Sequence, residues 1–535
     1  MTPAGEPPVL WSEPQPARTV AYNAAARYAG IVVELALGLV MLPFNASRLG
    51  AADYGLWMLA ASVAAYFPLF DLGYGGAMDR FVAYYRARRD ARAINEIAST
   101  LAVVFGLIGL GVLAAGTLVA WQFDRLFNVS PAQAASGPIV LLLVTLQFAL
   151  GLPFGVYGAI VNGFQRTFLN SAVSAVVSAA TAAVNAAVLL AGGDLVQLVA
   201  ALTATRLLGY IAYRWTAHRV FPPLRVRPQL FCRARLGEVT GFSTYIFLQT
   251  AATKVNYAAD PLVIGAFLTT GAVAVWTVAQ RLTDAVMRLA DQLNEVLFPV
   301  VVDCDSRRHD DRLREVLVQG TRISLAIVLP AAGALAILAR RVVTGWTGAE
   351  FAAAVPLVQI LAVVTIVRVG TSTARVVLRG AGHHRLLAWS NVIAAGANVA
   401  LSVGLIRTHG LPGVALATLL AVAVRAGLVV LPAAAARVGL GVRQLLVRAI
   451  WPALWPAAIS LALLAALPAP DALRLRDAVG LGALATVLHG GLFVALALDR
   501  RERARYLAGL RAFRPSRAAA RPVALATDLP PGGAA

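Results

Sequence analysis

Five charged residues in one apolar stretch, Arg281, Asp284, Arg288, Asp291 and Glu295, step by 3, 4, 3 and 4 positions and therefore share one face of a helix. A basic stripe repeats the spacing at Arg368, Ser372, Arg375 and Arg379, and Gln249, Thr253, Asn256 and Asp260 form a polar stripe with Lys254 beside it. Near the N-terminus Asn23, Arg27 and Glu34 share a face, and Asp71 and Asp79 flank Gly73, Gly75 and Gly76. The chemistry these residues offer is binding. Fixed cations attract an anion, and the planar guanidinium fork matches a phosphate. Arg27, Lys254, Arg281, Arg288 and Arg368 are the expected anion-binding residues, and Glu34, Asp71 and Asp260 are the candidates to hold a coupling ion. The structural alternative is mutual neutralisation, with Asp284 and Asp291 pairing along their own helix to Arg281 and Arg288.

Nothing in the sequence suggests a reaction. No His/Cys/Glu group has metal-ligand spacing, no Gly-x-Ser-x-Gly elbow occurs, and no Gly-rich loop ends in Gly-Lys-Ser/Thr. No enzyme activity, cofactor or metal is expected. His489 alone among six histidines falls inside an apolar segment, where a satisfied core residue is the expectation. Gly106, Gly109 and Gly111 are read as helix packing.

The elements that carry these stripes are transmembrane helices. Of 535 residues, 59% are apolar and 13% charged, and mean hydropathy is +0.73. A soluble domain dresses its surface with about a quarter charged residues, so a soluble enzyme, a disulfide-stapled secreted module and a disordered chain are excluded. Crossing a bilayer takes about 20 apolar residues. Fourteen segments qualify: 20–43, 56–79, 97–121, 138–161, 170–191, 195–216, 239–266, 272–300, 320–339, 353–378, 387–406, 411–436, 449–468 and 478–498. With the N-terminus inside, twenty-nine arginines fall in inside loops and the C-terminal tail, against seven outside, so both termini are expected in the cytoplasm. The net charge of +20 follows from this bias rather than from nucleic-acid binding. Arg206, Arg322 and Arg425 sit near segment ends and are expected to snorkel. Cys232 and Cys304 lie in basic loops and are expected to be free thiols.

A register shift of 219 superposes Leu49 on Leu268, Trp57 on Trp276 and Arg166 on Arg385. The expected organisation is an all-α polytopic membrane protein. A disordered tail (1–19) precedes a six-helix lobe (20–217), a basic cytoplasmic linker (218–238) and a second six-helix lobe (239–436). An extra helix pair (437–498) and a basic cytoplasmic tail (499–535) follow. Parallel repeats of this kind enclose a site near the midplane and rock about it.

Asn45-Ala-Ser-Arg-Leu-Gly-Ala-Ala-Asp-Tyr-Gly-Leu-Trp57, then Phe70-Asp-Leu-Gly73, Arg80 and Asn95, resembles the start of bacterial polysaccharide flippases. These belong to the multidrug/oligosaccharidyl-lipid/polysaccharide exporter superfamily, which includes the O-antigen and lipid II flippases. Asp260-Pro-Leu-Val-Ile-Gly265, Trp276 and Gln280-Arg-Leu282 resemble the opening of that family's second half, with Leu378-Arg-Gly-Ala-Gly382 and Gly413-Val-Ala-Leu-Ala-Thr418 further on. The resemblance covers about residues 20–436. It implies a two-lobed transporter in the bacterial inner membrane that moves an undecaprenyl-pyrophosphate-linked oligosaccharide outward through a cationic cavity. Arg27, Lys254, Arg281 and Arg368 match that cavity. The implied partners are the lipid-linked oligosaccharide, membrane lipids, and polysaccharide polymerases and glycosyltransferases around a monomer. Competing readings are a multidrug/cation antiporter of the same superfamily and a membrane-embedded glycan-modifying enzyme. The first expects twelve spans and an acidic cavity, the second a long acidic outer loop.

Overall fold

The computed structural model describes residues 17–240, 243, 259–467, 475–498 and 502–503, without the side chains of 17–32, 34–35, 68, 289, 292–293 and 295–296. In hydrocarbon a backbone can satisfy its polar groups only within itself, so long apolar runs become helices, and among the described residues there is no strand. The first half comprises α1 (Ala17–Ala64), α2 (Tyr74–Ala87), α3 (Ala91–Trp121), α4 (Pro131–Gly163), α5 (Thr167–Leu190) and α6 (Leu195–Val220). The second half opens with α7 (Ala259–Phe267), α8 (Thr270–Ser306), α9 (Asp310–Ile337) and the short α10 (Ala339–Thr347). It continues with α11 (Val355–Gly370), α12 (Ser372–Gly380), α13 (His384–Arg425) and α14 (Leu431–Arg437). The extra pair is α15 (Trp451–Ala466) and α16 (Leu475–Leu492), both packed on α9.

Nine helical stretches among the described residues are long and apolar enough to cross a membrane, or ten if the bent pair Ala36–Asp71 and Tyr74–Ala87 is one span. One of the nine, His384–Arg437, has 54 residues. At 1.5 Å per residue it would be about 80 Å long if straight, far beyond a bilayer of about 30 Å. It breaks at Gly410 (φ 60°, ψ −140°), between the expected spans 387–406 and 411–436. A left-handed break at Gly50 (φ 75°, ψ 165°) divides α1 in the same way. The expected span 272–300 is α8, which carries the charged stripe and is not among the nine. Helix α1 begins at Ala17, inside the stretch expected to precede the fold.

The loops expected on the outer side gather at one arginine-poor end, and there both halves share one core. Leu42, Leu56, Leu59, Phe123, Leu141 and Val199 of the first half pack with Ile264, Val273, Trp276, Phe351, Leu357 and Val414 of the second. At the arginine-rich end the cores are separate among the described residues. Met78, Ile97, Ile160 and Phe221 belong to a cluster drawn from the first half and its linker, and Val301, Leu317, Val377 and Ala434 to one drawn from the second. Among the described residues, the halves share a core at one end and not at the other.

The seal depends on close backbone approach. A Cβ on Gly55 of α1 would lie 2.5 Å from the carbonyl carbon of Thr270 at the start of α8, closer still to its oxygen. Around it, Gln133 Nε2 donates to Ala52 O (3.1 Å), Thr270 Oγ1 donates to Gln133 Oε1 (3.1 Å), and Asn128 N donates to Gly265 O (3.0 Å).

Residues 223–235, within the expected linker 218–238, are bonded along α3. Asn95 Nδ2 donates to Pro223 O and Asn95 Oδ1 accepts from Arg225 N. Ser99 Oγ donates to Arg225 O and accepts from Arg227 N, and Thr100 Oγ1 accepts from Cys232 N. Arg235 pairs with Glu96 and Glu238, both at 3.2 Å. Burial works against the Arg235 charge, but these carboxylates and the neighbouring Tyr85 hydroxyl outweigh it and hold its pKa above the ordinary arginine value. The second half therefore starts from an anchored platform rather than a loose tether.

Candidate functional site

Helix α8 leaves the shared core just past Ala279. From there its stripe turns outward: Arg281, Asp284, Arg288 and Asp291 are all exposed. The stripe faces the first half, since Tyr54 of α1 is within electrostatic reach of Arg281. Asp284 lies within electrostatic reach of Arg368, Arg281 and Arg288, although no ion pair closer than 4 Å joins it to Arg281 or Arg288 among the described residues.

Arg368, in the last turn of α11, lies between two adjoining cavities of the second half. One is lined by Asp260, Gln280, Asp284 and Thr418 with Arg368, the other by Arg375, Asn398, Thr418 and Arg425 with Arg368. Asp260, in the first turn of α7, is 8% exposed. Its Oδ1 accepts from Asn398 Nδ2 (2.9 Å) and its Oδ2 from Thr418 Oγ1 (3.4 Å), both on α13. Arg368 is within electrostatic reach of Asp260 and Asp284, and Tyr66, past the end of α1, of Asp260. Buried charge needs such partners to persist. Asn398 Oδ1 is itself buried without a hydrogen-bond partner, which leaves an acceptor at this cluster.

The structure thus brings Asp260, Arg281, Asp284, Arg288 and Arg368 into one neighbourhood on the second half. Arg27 and Glu34 lie on α1 with side chains outside the described residues, and Lys254 lies outside them altogether. Asp71 sits elsewhere, in the first half. It ends a short 3-10 segment, and its carboxylate oxygens accept from Gly75 N at 3.1 and 3.3 Å, a cap on α2. Near it Asp79 accepts from Asn162 Nδ2, whose own Oδ1 accepts from Asn170 Nδ2.

Sequence reasoning missed Asn398 and Thr418 as partners of Asp260, though both were visible as polar residues inside apolar helices. It also misplaced two snorkelling arginines. Arg322 is 9% exposed and donates twice to Arg448 O (3.2 and 2.7 Å) and to both carboxylate oxygens of Glu502 at 3.1 Å. The setting is local: Arg448 lies in the π-helical turn Leu446–Ile450 just before Pro452, and Arg322 serves its carbonyl. Arg425 donates to Ser390 Oγ and Leu387 O and lines the second cavity, whereas Arg206 is exposed. His489 is fully buried, and its ring meets the backbone of Pro456 and Ala326, though neither nitrogen makes a closely aligned hydrogen bond. Among the three packing glycines only Gly109 is in tight contact: a Cβ there would lie 2.5 Å from Ala149 O, while Gly106 and Gly111 face open space. Cys232 and Cys304 are free thiols.

Known proteins match this chain along most of its length. The family model described as "Polysaccharide biosynthesis protein" matches residues 20–304, more than half of the chain. The probable low-salt glycan biosynthesis flippase Agl15 of Haloferax volcanii is 24% identical over 389 residues, which is 72% of this chain and 77% of that protein. The lipid II flippase MurJ in an inward closed conformation superposes with a TM-score of 0.71 at 13% identity, over 89% of this chain and 99% of that one. An inward-facing multidrug resistance MATE family transporter of the MOP superfamily gives a TM-score of 0.65 at 14% identity, over 79% and 99%.

Proposed function

Since the chain belongs to the polysaccharide biosynthesis protein family and has the fold of MOP superfamily transporters, we propose that this multi-pass membrane protein flips a lipid-linked oligosaccharide by alternating access. The substrate in this reading is an undecaprenyl-pyrophosphate-linked glycan, carried from the cytoplasmic to the outer leaflet of a bacterial inner membrane for surface polysaccharide synthesis. The chain works as a monomer of fourteen spans with both termini inside, and it hands its cargo to polymerases supplied by glycosyltransferases.

One observation carries the reading: among the described residues, a shared core at the arginine-poor end and separate cores at the arginine-rich end. That is the shape of a carrier open toward the side where the substrate is made. The exposed cations of α8 begin where the halves diverge, and Arg368 stands behind them. Arg27 of α1 and Lys254 complete the cationic lining in this reading, Lys254 and the Arg27 side chain lying outside the described residues. Like charges facing each other across an open cleft oppose its closure, and a doubly charged pyrophosphate removes that opposition. Binding the headgroup then favours the state in which the cleft shuts and the other end opens, as differential affinity requires. Asp260, with Asn398 and Thr418, is the favoured position for a coupling ion, and Glu34 and Asp71 are the others. Of these Asp71 is the weakest, being engaged as a helix cap.

The experiment is leaflet accessibility of the lipid-linked oligosaccharide in cells depleted of the protein. Accumulation facing the cytoplasm, cleared by wild type but not by Arg27→Ala or Lys254→Ala, supports the reading. Full clearance by both variants removes the anion-binding role of these cations. A glycan that reaches the outer leaflet without the protein but stays unmodified points instead to a step after flipping.

A further inference from the structure

Pro43 lies inside α1 and has no N–H, so the carbonyl of Leu39 one turn earlier has no donor in its own helix. An unsatisfied carbonyl away from water is costly. The Leu39 carbonyl finds its donor in the other half: Trp346 Nε1 donates to Leu39 O at 3.0 Å across 307 positions of sequence. Trp346 belongs to α10, which packs on α1, α9, α11 and α16. Its buried face carries Ala339, Val343 and Thr347, the first two within the shared core. Another carbonyl near a proline finds its donor within the second half and its appended pair. Arg322 of α9 serves Arg448 O, shortly before Pro452.

We infer that Trp346 is a gating residue: its indole N–H, given to the Leu39 carbonyl that Pro43 leaves open, latches the two halves together at the arginine-poor end. The inference rests on the two-state reading above. The bond exists only while that end is shut. When the halves part there, the carbonyl passes to water in the opened cleft, so the latch stabilises the sealed state without touching the substrate. Deleting one hydrogen bond of this kind shifts a two-state ratio by about two- to tenfold. Transport then changes through the balance of states rather than through substrate affinity.

The test measures conformation alone. Spin labels go on Ser47→Cys and Glu350→Cys, exposed positions at the arginine-poor end of the two halves, with Cys232→Ser and Cys304→Ala, in the full chain in lipid nanodiscs. Distances are read by double electron–electron resonance. Trp346→Phe keeps the ring and removes the N–H, and it is expected to enlarge the long-distance population by about two- to tenfold. In a Pro43→Ala background residue 43 supplies its own N–H to Leu39, so Trp346→Phe should then shift the populations little or not at all. An unchanged distance distribution in Trp346→Phe overturns the latch. An equal shift in both backgrounds also overturns it, because packing of the ring would then be responsible. Because no substrate is present, failure of the flippase reading in the leaflet assay leaves this result untouched.

Discussion

Gly55→Ala should break the sealed state specifically. The new Cβ would lie 2.5 Å from the carbonyl carbon of Thr270 and 3.3 Å from Ala274 N, and both atoms are backbone, so no side chain can swing aside. Ordinary carbon–carbon contact is about 3.5 Å, so α1 and α8 would have to part by about 1 Å. Separation on that scale loosens the packing of Leu56, Leu59, Val273 and Trp276, and stretches the hydrogen bonds that Gln133 makes to Ala52 and from Thr270. Overpacking of this kind costs about 1–3 kcal/mol. None of that cost arises once the end is open, so the ratio of open to sealed states should rise about five- to a hundredfold.

The reporter is Ala60→Cys, fully buried in the shared core one turn and a half beyond the contact, in a background with Cys232 and Cys304 replaced. Labelling by a membrane-impermeant maleimide from the arginine-poor face of proteoliposomes measures how often the seal opens. Gly55→Ala should accelerate it, whereas Gly106→Ala, where a Cβ meets nothing within 4 Å, should not. Equal labelling of wild type and Gly55→Ala, with the variant folded and inserted, would refute the argument that this backbone contact holds the end shut.

Two further outcomes follow from the buried polar clusters. Arg322→Ala leaves the Arg448 carbonyl and the Glu502 carboxylate without their donor and should cost about 2–4 kcal/mol, seen as a lower unfolding midpoint in detergent; Glu502→Gln should cost less, and equal losses would show that the carbonyl contributes nothing. Asp260→Asn keeps a side chain able to bond Asn398 and Thr418, so stability should fall by no more than about 1 kcal/mol, while transport loses its response to an imposed sodium or proton gradient; a wild-type gradient response excludes Asp260 as the coupling site.

What the sequence discloses and what it hides divides along a physical line. Hydropathy and arginine placement are local, so the helical segments and the two unlike ends were legible, and the 3-4 spacing of Arg281, Asp284, Arg288 and Asp291 was enough to place them on one exposed face. Asp71 carries a local signal too: an aspartate shortly before Gly73 and Gly75 at a helix start is a capping arrangement as much as an ion site. The arginine at 322 and the tryptophan at 346 belong to another class. Pro43 announces a carbonyl that lacks a helical donor at Leu39, four residues upstream, and Pro452 marks the irregular, π-helical turn that holds Arg448, so a need is written in the sequence near each proline. The supplier is not. Arg322 reaches Arg448 across 126 positions and Trp346 reaches Leu39 across 307, and no local periodicity encodes either distance. An interior proline in a transmembrane helix should therefore be read as a demand for one donor from elsewhere in the fold. Where that donor comes from a second rigid body, as at Leu39, meeting the demand also fixes how the two bodies stand to one another.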